Sequence, residues 1–259
     1  MEIREWALQI LSSERLKDKL FAPACLEDNS PGPALFWQEP ARSPDMQLRR
    51  RSRQEKLPAF QEHYQQDKRA ACLHRFAGHE LLAVEIMAFA LLAFPEAPPR
   101  FRKGLANTLK EEQEHVRLYM ARMEQLGIAF GDLPLYRHFW MHTPHITSPL
   151  HYVSVMSLTF EQANLDFAPI YGKSFAAHGD ELSAALMARI LSDEIAHVSF
   201  GLNWLKRMKD STESDWEAWE RTLATTLLEP KRGKGFYLHP QNRIEAGLSN
   251  EWIQQLEKA

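Results

Sequence analysis

LKEEQEHVRLYMARMEQLG (residues 109–127) sets Glu112 and His115 three positions apart, on one face of a segment whose apolar spacing marks it as a helix. That helix is expected from about residue 100 to 126, with Gly127 as its natural stop. The same E-x-x-H pattern returns at Glu194 and His197 in DEIAHV (193–198). Alone the motif is weak. The chain has 24 Glu and 11 His in 259 positions, so random placement supplies about one E-x-x-H, and two are present.

Spacing adds what the motif lacks. Glu80 precedes Glu112 by 32 residues, and Glu161 precedes Glu194 by 33. Glu80 to Glu161 is 81 positions, while Glu112 to Glu194 and His115 to His197 are each 82. A glutamate followed by E-x-x-H thus recurs with nearly constant period. In each half a turn falls between the two glutamates, near residues 97 and 179, so a hairpin would bring them level to within about 3–5 Å along the axis.

Working outward, helices are expected at about 66–93 and 100–126, joined by FPEAPP (94–99), then at about 150–177 and 181–209. Pro169 predicts a kink in the third and Asp180 an N-cap for the fourth. The twenty-odd residues after Gly127 suit a long crossover rather than a tight turn. An amphipathic helix at about 3–20 opens the chain, and another at about 213–228 carries Trp216 and Trp219. The expected organisation is an N-terminal helix and Pro-rich wrap (1–60), a helical bundle (61–228) and a tail packed on it (229–259), an all-α chain.

Composition narrows the classes. Thirty-one Lys and Arg against 34 Asp and Glu exclude the strongly basic footprint of a dedicated nucleic-acid binder, and 44% hydrophobic residues exclude wholesale disorder. Cys25 and Cys72 lie 47 positions apart, with neither a CxxC site nor a disulfide framework, so a reducing cytoplasm is the expected location. The N-terminus is unlike a signal peptide, and the longest apolar run, Ile86 to Phe94, is nine residues, so no membrane span is expected. Neither nucleotide-binding glycine motifs nor the serine-hydrolase elbow occur.

Four carboxylates and two imidazoles converging between helices form the donor set of a di-iron or di-manganese bundle. Two divalent ions bring four positive charges, four glutamates cancel them, and two neutral histidines complete the shell. Mixed oxygen and nitrogen donors suit iron or manganese better than structural zinc. The bland alternative places these acids on solvated helix faces. Against it, Glu161 and Glu194 interrupt apolar stretches. Glu85, enclosed in LLAVEIMAF, competes with Glu80, although its spacing of 27 to Glu112 fits the second half less well. Glu111 and Asp193 could orient the imidazoles, His79 could be an added ligand or proton shuttle, and Tyr119 could gate electrons; each is equally an ordinary surface or core residue. The basic clusters LRRRSRQEK (48–56) and KRGK (231–234) could steer an anion, though short runs of this kind are usually solvated.

The segments RFAGHELLAVE (75–85), EEQEHV (111–116), TFEQANLDFAP (159–169), DEIAHVSFG (193–201) and NRIEAGLSNEW (242–252) resemble an uncharacterised bacterial branch of the ferritin-like superfamily. The resemblance implies a ferritin-like four-helix bundle with a long crossover and a dinuclear carboxylate site at Glu80, Glu112, His115, Glu161, Glu194 and His197. It implies no substrate. The expected function is an O2- or peroxide-activating oxidoreductase with two iron ions, or manganese or a mixed pair, acting on a small molecule as a monomer or small homo-oligomer. The alternatives are a non-catalytic metal-handling or ferroxidase protein and an RNA-modifying hydroxylase.

Overall fold

The computed structural model describes residues 1–52 and 55–259, which form two compact units, Met1–Met141 and His142–Ala259. The fold is all-α apart from one two-residue strand pair among the described residues.

The first unit is built on a hairpin of α3 (Gln66–Ala93) and α4 (Pro99–Gln125), within a residue of the expected bounds. Five residues join two long helices that pack along each other, so they run antiparallel. Pro99 at the first turn of α4 needs no amide partner and presets its φ. Arg102, one turn further, reaches back to donate to the carbonyls of Leu91 (2.6 Å) and Phe94 (3.1 Å), satisfying carbonyls that the end of α3 leaves open. Its other edge pairs with Asp28 at 2.8 and 2.9 Å and ties the N-terminal wrap to the hairpin. Gly127 ends α4 with φ +86°, a conformation that costs a β-carbon-bearing residue strain.

The expected helix at 3–20 is two helices, α1 (Ile3–Ser12) and α2 (Leu16–Lys19). Ser13 interrupts it in extended conformation: its hydroxyl accepts from the Arg15 amide (3.1 Å) and donates to Asp18 (2.7 Å), a local turn that competes with the helix. Ile3, Trp6, Ala7, Ile10 and Leu11 form the buried stripe by which α1 packs on α3. Covered by α1 and α4, α3 is buried nearly all round. Among the described residues it is the one helix long and apolar enough to cross a membrane, and 89% of its most apolar window is buried inside the protein. The nine-residue run therefore understated α3, whose apolar character is spread between isolated polar positions. The strands, β1 (Leu48–Arg49) and β2 (Leu135–Tyr136), pair in parallel with Leu48 opposite Leu135.

The second unit begins its helical stack with α5 (Pro149–Val155), a π-helical turn (Met156–Glu161) and α6 (Gln162–Ala177). The departure from α geometry thus comes at 156–161, while Pro169 lies within α6. Helix α7 (Glu181–Met208) packs along α6, and the Asp180 side chain accepts from the Ser183 amide at 3.0 Å, the expected N-cap. Helices α8 (Asp215–Leu223), α9 (Pro240–Glu245) and α10 (Asn250–Lys258) complete the unit. Trp216, Trp219 and Trp252 pack against one another, mostly edge to face, with centroids 4.8–5.4 Å apart, so the tryptophan stripe is core. Arg243 of α9 forms two hydrogen bonds to Asp166 of α6 (2.7 and 2.9 Å), both side chains fully buried, and Trp252 donates to Gln162 at 2.9 Å. These contacts hold the tail to α6.

Candidate metal centre

In the first unit, α3 contributes Glu80 and α4 contributes Glu112 and His115, all buried. The three offer ligand atoms that lie within 4.8 Å of one another. The i, i+3 register of α4 sets His115 Nδ1 3.4 Å from Glu112 Oε2, and the antiparallel hairpin supplies the third donor from the opposite helix.

In the second unit, Glu161 ends the π-helical turn while Glu194 and His197 stand on α7, again all buried. His197 and Glu161 offer ligand atoms within 4.8 Å of each other, and His197 Nδ1 lies 3.8 Å from Glu194 Oε2. The π turn is a feature that period-3.6 patterning misses. An i→i+5 turn inserts a residue and re-aims the side chains that follow, and such turns are frequent at functional sites. Here Thr159 Oγ1 and Trp219 Nε1 both donate to the Ser154 carbonyl, at 2.7 and 3.1 Å, which secures the turn from inside and from α8. Gly201 lets α7 come close: a β-carbon there would lie 2.2 Å from Ser157 Cβ.

Asn164, not singled out by its sequence, donates to Glu194 Oε1 at 2.9 Å and leaves Glu194 Oε2 buried without a hydrogen bond. Its signal was available, since Asn164 stands three positions after Glu161 on the same helical face.

Glu85 belongs to a different structure. It is fully buried against Lys19 Nζ (3.0 Å) and Arg42, whose Nη2 and Nε lie 2.6 and 3.1 Å away, so two cations already hold its carboxylate. It is removed as the alternative to Glu80. Asp166 and Asp28 are likewise neutralised, by Arg243 and Arg102. The six motif residues are instead grouped with imidazoles and other carboxylates, a donor set that suits a cation of mixed oxygen and nitrogen preference. Burying carboxylates in this way is costly unless positive charge joins them. Glu80, Glu112 and His115 in the first unit, and Glu161 with His197 in the second, therefore offer donors that suit a metal ion.

The remaining candidates separate clearly. Glu111 is exposed, and Asp193 pairs with Arg189 at 2.9 Å on the surface side of α7. Tyr119 is buried, its ring 6.0 Å from that of Phe76. His79 sits in a cluster with His138 and Phe139, centroids 5.5 and 5.0 Å distant. In KRGK, Lys231 pairs with Glu229 and Lys234 donates to the Glu257 carbonyl. Of the other basic cluster, Arg53 and Gln54 lie outside the described residues.

A family model described as a protein of unknown function (DUF455) matches residues 4–254. No curated protein and no solved structure matches the chain.

Proposed function

Because the chain belongs to the DUF455 family, whose description carries no activity, we propose its function from its side chains: a ferritin-like dinuclear iron oxidoreductase that uses O2 or peroxide on a small substrate. The observation that carries this reading is the burial of a glutamate and an E-x-x-H in each half, with Glu80, Glu112 and His115 offering ligand atoms within 4.8 Å of one another. Glu80, Glu112 and His115 would hold one ion, and Glu161, Glu194 and His197 the other.

Bound iron would supply the electrons for oxygen or peroxide reduction. The chain's own contribution is to position and shield. Asn164 holds one oxygen of Glu194, leaving the other directed toward His197. The burial of all six donors keeps bulk water from competing for them and strengthens their attraction to a cation. Free Cys25 and Cys72 accord with a reducing compartment, and the cytoplasm is the proposed location.

The test is elemental analysis with Mössbauer spectroscopy on iron-supplemented protein. Two irons per chain with a magnetically coupled signal, reoxidised by O2 after reduction, are expected. No transition metal above trace, a single uncoupled ion, or unaltered loading in Glu112→Gln and His197→Gln would overturn the reading.

A further inference from the structure

The first unit contains a basic pocket that the metal reading leaves unused. It is a cavity of about 440 Å3 into which Arg50, Arg51, Arg75 and Arg137 converge, with His79 and Tyr136 on its wall. The strand pair builds it. Arg50 and Arg51 follow β1, Arg137 follows β2, and the parallel register, continued by the Arg137 amide donating to the Arg49 carbonyl (3.1 Å), sets the two basic segments side by side. Helix α3 closes the third side with Arg75 and His79, four positions apart on one face. The Arg75 guanidinium lies 4.1 Å from the centre of the Tyr136 ring, which orients it before any ligand arrives.

Among the described residues the charges in this pocket do not cancel: Glu55 accepts from the Tyr136 hydroxyl (2.9 Å) and Glu39 pairs with Arg137, so two carboxylates stand against four guanidiniums. Burial first, and nearby Arg51, hold Arg75 below the usual arginine range against the upward pull of Tyr136 and Glu55. Planar guanidinium forks match the geometry of phosphate oxygens. The volume falls within the range of about 300–1,000 Å3 typical of small-molecule sites, larger than a bare phosphate requires, and Tyr136 and Met141 offer surface for an organic moiety.

We propose that this pocket binds a small organic phosphomonoester, with Arg51 and Arg75 on the phosphate and Tyr136 and Met141 against the organic part. As the substrate pocket it rests on the metal reading, because His79 on its wall precedes Glu80 on α3; as a phosphomonoester site it does not.

The experiment is isothermal titration calorimetry on chelator-treated full-length protein and on the Glu80→Gln variant, with phenyl phosphate, inorganic phosphate, phenol and a short single-stranded RNA as probes. Saturable binding of phenyl phosphate is expected, at least tenfold tighter than inorganic phosphate and absent for phenol. Arg51→Gln, on an exposed segment that leaves the core intact, and Arg75→Gln should each weaken it at least tenfold, with circular dichroism and melting reporting on the fold. The absence of saturable phenyl phosphate binding, unchanged affinity in a folded Arg51→Gln, or tight RNA binding that phenyl phosphate does not displace would overturn the proposal. Since metal-free protein is used, failure of the metal reading leaves this outcome unaffected.

Discussion

Lys19 Nζ lies 3.0 Å from Glu85 Oε1, and both side chains are fully buried. Arg42 closes on the other oxygen at 2.6 Å, so one carboxylate of α3 fastens two points of the N-terminal wrap. Burial first, and Arg42 beside it, hold the Lys19 ammonium below the usual lysine range, while Glu85 pulls it up as its one nearby acid among the described residues. Glu85→Ala should therefore leave two buried cations without their counter-charge and destabilise the protein by about 3–5 kcal/mol. Urea denaturation measures that loss, and metal content per folded chain should stay at the wild-type value. A fall in metal content with stability unchanged would return Glu85 to the ligand set.

Gly201 on α7 faces Ser157 on the π-helical turn. Alanine would favour the helix by up to about 1 kcal/mol. Its β-carbon, however, would stand 2.2 Å from Ser157 Cβ, and overpacking of this kind costs about 1–3 kcal/mol. Gly201→Ala should thus be destabilising on balance and should weaken metal retention by displacing the turn that carries Glu161. Adding Ser157→Gly should restore both, whereas Ser157→Ala, which keeps the β-carbon, should not. Thermal melts and metal analysis of the three variants decide it.

His74 is buried beneath Phe130, and its Nε2 accepts from the Gly131 amide at 3.1 Å. Burial first, and then Arg75, lower its pKa from the ordinary 6.5 to about 4. A proton therefore binds the unfolded chain more readily than the folded one between these values, and stability must fall as pH drops from about 6.5 to 4. The contribution is about 3 kcal/mol across the window. His74→Gln keeps an acceptor without titrating, so its stability should vary less with pH over that range. Chemical denaturation at several pH values in metal-free protein would show this, and parallel curves would contradict it.

The two cysteines should react differently. Cys25 is exposed, while Cys72 is buried and desolvation raises its thiol to about 12. Since the thiolate is the nucleophile, the native protein should release one equivalent of chromophore from a thiol reagent at pH 8 and two after denaturation. Two fast equivalents from native protein would show that the α3 core opens readily.

Removing bound metal should lower the melting temperature, because a ligand held by the folded state alone stabilises it by mass action. The shift should vanish in a variant lacking both histidines of the donor set, His115→Ala with His197→Ala. Calorimetric scans with and without chelator provide the comparison.

Local sequence was sufficient for the bounds of α3, α4 and α7 and for picking out Glu80, Glu112, His115, Glu161 and His197 as buried groups able to offer metal ligands. Helix bounds at α3, α4 and α7 follow from apolar period, proline and capping residues within a few positions, and i, i+3 adjacency of Glu112 with His115 is a property of any α-helix. What local pattern could not supply depended on partners far along the chain. Glu80 and Glu85 are both buried acids on one apolar helix, and only the arrival of Lys19 and Arg42, 66 and 43 residues upstream, marks Glu85 as an ion-pair residue. The π turn before Glu161 exchanges regular helical bonding for contacts with Trp219 and with the glycine face of α7, neither of which is present in residues 156–161. The basic pocket likewise required Leu48 to meet Leu135 across 87 residues. In each case the deciding term is charge compensation or close packing between distant segments, which sequence periodicity does not encode and tertiary contact alone supplies.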